Sequence, residues 1–172
     1  MANPPLRTSI VVGNPKPGSR TLAAAVTVAD LLDAELGVER RDVIDVATYG
    51  SALLDWESAE VAEATRTVAA SQLVIVASPT FKATYTGLLK VFLDRYGNDG
   101  LAGTVAVPLM TGAGVHHGLA VEVHLRPLLV ELGASVPSRG LYLPEASFDD
   151  IAGAAGPWLT AAVPQLRRAL TC

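Results

Sequence analysis

The sequence predicts an α/β fold, a parallel sheet covered by helices on both faces. Three observations lead there. Short apolar runs alternate repeatedly with longer stretches of helical periodicity. The strongest runs are continuously apolar, as strands buried on both faces are. They end in Gly13, in Ser78-Pro79 and in Thr111-Gly112, residues that punctuate strand-to-helix loops.

The elements follow in order. Ser9-Ile10-Val11-Val12 reads as a buried strand closed by Gly13. From Thr21 to Leu36, residues Leu22, Val26, Ala29, Leu32 and Leu36 recur at helical spacing, and Gly37 stops the helix. Val38 to Val46 is a second strand, more polar and so nearer an edge. Glu57 to Ala70 is a helix with an alanine-rich stripe, and Leu73 to Ala77 a strongly buried strand. Gly87 to Tyr96 is a short helix, and Thr104 to Met110 a fourth strand. His117 to Leu132 is a fourth helix in which Pro127 kinks the chain or interrupts one backbone bond. Gly133 to Val136 opens a fifth strand region that resumes beyond Pro137 as Gly140 to Leu143. Ile151 to Leu170 is the last helix, with Gly156-Pro157 and Pro164 as weak points. No repeat or linker interrupts the pattern, so residues 1–172 are expected to form one domain, with 1–5 as a frayed tail.

Composition narrows the function. Half of the 172 residues are hydrophobic, enough for a sizeable core, and the net charge of -4 provides no general basic surface for nucleic acid. Arg40-Arg41 and Arg167-Arg168 are only pairs. No stretch is long and apolar enough to span a bilayer, and residues 1–5 lack the basic and apolar regions of a signal peptide. The one cysteine, Cys172, has no internal partner for a disulfide or a structural zinc site. A cytoplasmic protein is expected, with no nucleic-acid or membrane partner.

In open parallel sheets ligands bind at the carboxyl ends of the strands, where strand order reverses. That rule selects the loops Gly13 to Arg20, Ser78 to Thr86 and Thr111 to His117. The first loop is neither a G-x-G-x-x-G fingerprint nor a P-loop. Its physics still suits an anion, because a helix N-terminus offers free amides and the positive end of a dipole. Ser19 and Thr21 add hydroxyls, Arg20 adds a planar permanent charge, and Gly18 permits close backbone approach. An ordinary N-cap with Arg20 facing water is the alternative. The position after the first strand favours a phosphate.

The second loop offers Pro79, Thr80, Phe81 and Lys82. Small residues leave room for a flat ring, backbone amides can bond its edge, and Lys82 supplies a cation. A plain loop with Phe81 and Tyr85 packed inward is the alternative there. The third loop, Thr111-Gly112-Ala113-Gly114, allows another close backbone approach. Amides there would stabilise negative charge on such a ring. His116 and His117 have no converging ligands, so a metal site is not expected. His124 reads as an ordinary helix residue.

Together the three loops resemble those of the NADPH-dependent FMN reductases of the flavodoxin-like superfamily, particularly the branch that serves sulfonate monooxygenases. Ser78-Pro79-Thr80-Phe81-Lys82-Ala83-Thr84-Tyr85-Thr86-Gly87-Leu88-Leu89-Lys90 is similar to that family's Ser-Pro-x-Tyr-Lys-Ala-Ser-Tyr-Ser/Thr-Gly-Leu-Leu-Lys. The first loop resembles Gly-Ser-Pro-x-x-x-Ser-Arg-Ser/Thr. The run from His117 through Arg126-Pro127-Leu128-Leu129 resembles the family's His-x-Leu-Ala helix. The resemblance implies a three-layer sandwich with a five-stranded parallel sheet in the order 2-1-3-4-5. It implies hydride transfer from NADPH or NADH to FMN, reduced flavin passed to a monooxygenase, and a homodimer or homotetramer. Asn14, Ser19, Arg20 and Thr21 would hold the phosphate. Pro79, Thr80, Phe81 and Lys82 would line the isoalloxazine, with Thr111, Gly112, Ala113 and Gly114 on another side. No side chain is expected to act as catalytic acid or nucleophile.

Asn14 stands where the family usually has Ser, and Phe81 where Tyr is common. Val123-His124 stands where some sulfonate-linked members insert a Tyr that bulges the helix. Two rival functions remain: a fixed-flavin reductase of quinones, azo dyes or metal oxyanions, and a flavodoxin-type electron carrier. Carriers are usually more acidic than this chain.

Overall fold

The computed structural model describes residues 6–171, so the tail expected at 1–5 and Cys172 lie outside the described residues. The elements are β1 (Leu6–Val12), α1 (Arg20–Leu36), β2 (Val38–Asp45), α2 (Ala59–Ala69), β3 (Leu73–Pro79), α3 (Gly87–Leu93), β4 (Val105–Gly112), α4 (Arg126–Glu131), β5 (Leu141–Pro144) and α5 (Ile151–Leu170). The sheet is parallel throughout, in the order β2-β1-β3-β4-β5. This is the flavodoxin-like sandwich that the sequence implies.

Strand alternation divides the core into two layers. Val11, Val74, Val76, Ala106 and Met110 face α2, α3 and α4. Ile10, Val12, Ile75, Ala77, Val107 and Leu109 face α1 and α5. β3 and β4 are buried at every residue, which explains their unbroken apolar runs. α1 ends where Gly37 takes the left-handed conformation (φ 74°) and returns its amide to the Asp33 carbonyl at 2.9 Å.

Three segments differ from the sequence reading. A 3-10 stretch, Val46–Leu54, kinked at Gly50, follows β2, so the strand stops at Asp45 and the next helix starts only after its Ser58 cap. The fourth helix is broken into a 3-10 turn, a π-turn at Val121–Leu125 and α4. In the π-turn the Arg126 amide reaches back to the Val121 carbonyl, and Pro127, which has no amide to donate, begins the next turn. The widened turn therefore forms here without an inserted tyrosine.

Gly133 to Val136 forms no strand. Ser135 makes a single bridge to Val105, and β5 begins only at Leu141. The carbonyls of Val136 and Ser138 are taken instead by Arg126, at 2.7 and 2.6 Å. Pro137 between them has no amide to add to a ladder.

Tyr96 packs edge-on against Phe92, with centroids 6.2 Å apart. Burial raises its phenol well above the usual 10.0. The folded chain therefore keeps this proton while the unfolded chain loses it. Stability is expected to fall as pH rises above about 10, the unfolded tyrosine value. Chemical denaturation of Tyr96→Phe between pH 8 and 11 should show a shallower alkaline loss than the parent.

Candidate functional site

The three loops meet at the carboxyl ends of β1, β3 and β4 and enclose an open cleft of about 420 Å3, within the usual range for small-ligand sites. Its walls include Asn14, Ser19, Arg20, Thr21, Pro79, Thr80, Phe81, Thr111, Gly112 and Ala113. Two expected residues lie outside the lining. Lys82 sits at the tip of a tight turn, and Gly114 uses its carbonyl to accept the Tyr142 hydroxyl at 2.7 Å. Three lining residues were missed in the sequence: Lys16, Glu145 and Phe148.

The α1 end is built by short polar contacts. Ser19 caps the helix, its hydroxyl accepting from the Leu22 amide at 3.2 Å. Intrahelical bonding begins with Ala23 donating to the Ser19 carbonyl, so the amides of Arg20 and Thr21 precede the helical ladder. Gly18 turns through the left-handed region (φ 62°), and its amide donates to Asp45 Oδ2 at 2.9 Å. Asn14 holds the loop from within, accepting from the Lys16 amide at 2.9 Å and donating to the Thr21 hydroxyl at 3.1 Å. Thr21 is buried and lies 3.0 Å from the Thr111 hydroxyl. Asn14 and Thr21 thus tie the first loop to the third, and the exposed cations at this end are Lys16 and Arg20. The Arg20 guanidinium pairs with Glu145 at 3.0 Å and lies 5.1 Å from the centre of the Phe148 ring.

The other end is lined by Pro79 to Phe81. The Thr80 amide donates to the Thr111 carbonyl at 2.6 Å, joining the second loop to the third. Beyond it Phe81 and Thr84 exchange backbone hydrogen bonds at 2.8 and 3.2 Å across Lys82 and Ala83. Both central residues have positive φ, 52° and 68°, where glycine or asparagine is usual. Such strain persists where surrounding structure over-determines it and clusters at ligand sites. The turn leaves Phe81 52% exposed at the cleft, where the alternative reading had it packed inward.

An added Cβ on Gly112 would collide with the Tyr142 phenol oxygen, so any larger residue here must displace that ring. Burial raises the Tyr142 phenol above its usual range; nearby Thr80 partly offsets this and Glu145 adds to it. The Thr80 hydroxyl is buried beside that phenol and lies close enough to influence it, without a well-formed hydrogen bond. Thr86 locks the base of the site, donating to the Gly13 carbonyl while accepting from the Leu89 amide.

A parallel sheet in this strand order, with a helix N-terminus and the loops after β1, β3 and β4 sharing one cleft at its carboxyl edge, defines a flavodoxin-like protein. The family described as NADPH-dependent FMN reductase matches residues 6–147, and the chain belongs to that family. It is 30% identical over 149 residues to the NADH-dependent FMN reductase SfnF of Pseudomonas putida, covering 84% of this chain and 80% of that one. It is 29% identical over 150 residues to an FMN reductase (NADPH) of Pseudomonas aeruginosa, covering 85% and 81%. The solved apo structure of the NADH:FMN oxidoreductase EMOB superposes with a TM-score of 0.85 at 30% identity, covering 95% of this chain and 89% of that one.

Proposed function

We propose that this chain reduces FMN with NAD(P)H and holds the flavin in the cleft between β1, β3 and β4. The observation that carries the reading is the division of that cleft. One end has the α1 amides with Lys16 and Arg20, and the other has Pro79, Thr80, Phe81 and Gly112. A phosphate suits the first end and a planar ring the second.

The chemistry is hydride transfer from the nicotinamide C4 to flavin N5, and it belongs to the two small molecules. The protein binds and orients. Arg20 and Lys16 neutralise phosphate charge, Pro79 to Phe81 form a wall for the ring, and the Thr111 to Ala113 backbone borders it. No side-chain acid or nucleophile is required. We place this activity in the cytoplasm and assign the whole chain to one reductase unit. Reduced FMN would pass to a flavin-dependent monooxygenase. Leu119 just before the π-turn, Val123 within it and Val130 on α4 are exposed, which supports association of copies into a homodimer or homotetramer.

The test follows NAD(P)H absorbance with and without added FMN. Oxidation that saturates with FMN concentration supports the proposal. Oxidation independent of added FMN but dependent on a quinone, azo dye or metal oxyanion indicates a fixed-flavin reductase. No oxidation with either nucleotide indicates an electron carrier.

A further inference from the structure

We propose that Glu145 is a positioning residue that competes with the flavin phosphate for Arg20 and so keeps FMN exchangeable. The inference rests on the reading of the cleft as an FMN site and concerns how tightly that site closes.

Glu145 begins the short helical turn that follows β5, and Phe148 caps that turn. Both side chains line the cleft beside Arg20. The carboxylate reaches the guanidinium at 3.0 Å, while the same guanidinium lies over Phe148 at 5.1 Å. Arg20 is therefore already engaged on both its edge and its face. A carboxylate lining an anion cleft opposes a phosphate dianion, and simple affinity for phosphate gives no reason for it. It has a reason if the bound anion must also leave.

The pair suits exchange because it is open to solvent. The Arg20 and Glu145 side chains are 68% and 46% exposed, and ion pairs at that exposure are weak and readily replaced. An arriving phosphate displaces the carboxylate from the fork, and on departure the carboxylate takes the fork back. Arg20 thus has a charged partner in both states, and the phosphate gains less than it would from an unengaged arginine. The penalty falls on FMN and not on riboflavin, which carries no phosphate.

The test measures dissociation constants for FMN and for riboflavin by flavin fluorescence, using the parent chain, Glu145→Gln, Arg20→Ala and the double variant. Glutamine keeps the shape and removes the charge. Glu145→Gln is expected to tighten FMN about two- to fivefold, the scale of an exposed charge pair, and to leave riboflavin unchanged. In the Arg20→Ala background most of that gain should vanish.

If Arg20→Ala weakens FMN but Glu145→Gln leaves its affinity unchanged or lower, the competition proposal is overturned and the phosphate site stands. A gain shared equally by riboflavin, or one that persists undiminished without Arg20, also overturns it. If the parent binds FMN and riboflavin alike and Arg20→Ala alters neither, the phosphate reading itself fails, and the role of Glu145 with it.

Discussion

Arg20→Ala is expected to weaken FMN binding by about 1–3 kcal/mol, the range for hydrogen bonds to a charged group. Arg20 sits at the first position of α1, where its guanidinium adds permanent charge to amides that have no helical partner. The fork geometry matters as well as the charge, so Arg20→Lys should recover only part of the loss. Isothermal titration with FMN measures both variants. The fold should not suffer, because the Arg20 side chain is 68% exposed and its ion pair is a surface one. A loss confined to FMN, with riboflavin unaffected, assigns the effect to the phosphate.

Gly13→Ala is expected to have the largest effect on stability. Gly13 is the first residue past β1, where the chain passes directly against α3. An added Cβ would lie 2.8 Å from Leu89 Cα and closer still to its Cβ. Leu89 is fully buried in the core, so its backbone has little freedom to retreat. The Gly13 amide also donates to the Ala77 carbonyl at 2.9 Å, and its carbonyl accepts the Thr86 hydroxyl. Relief of the overlap must therefore disturb bonds that hold the first and second loops together. A loss of about 3 kcal/mol is expected, at the upper end for overpacking, with a lower midpoint in urea denaturation. Gly18→Ala is the contrasting case. Nothing lies within 4 Å of its would-be Cβ, and only the positive φ of 62° opposes the change, a strain of about 1–2 kcal/mol.

The fold was legible because its strongest signals are local. The runs around Ile10, Ile75 and Val107 are buried on both faces, so their apolar content needs no knowledge of neighbours. The second loop was legible for a related reason. Thr86 caps α3, accepting from the Leu89 amide at 3.0 Å, and the Ser78 hydroxyl accepts from the Thr86 amide at 3.0 Å. Those contacts join residues of one short motif.

What the sequence hid depends on distant partners. The delay of β5 to Leu141 follows from Arg126, whose guanidinium takes carbonyls that an apolar run appeared to offer to a sheet. Glu145 and Phe148 arrive at the cleft from beyond β5, and no local pattern marks them as neighbours of Arg20. The 3.0 Å approach of Thr21 to the Thr111 hydroxyl likewise joins residues far apart in the chain, while Thr21 and Asn14, bonded to each other, both line the cleft.

The most direct test of the account is a crystal structure grown with excess FMN. The phosphate is expected against the Arg20 and Thr21 amides with the Arg20 guanidinium turned onto it, and the ring beside Pro79, Thr80 and Phe81. A flavin bound elsewhere, with Arg20 still on Glu145 and the α1 end of the cleft closed to ligand, would contradict it.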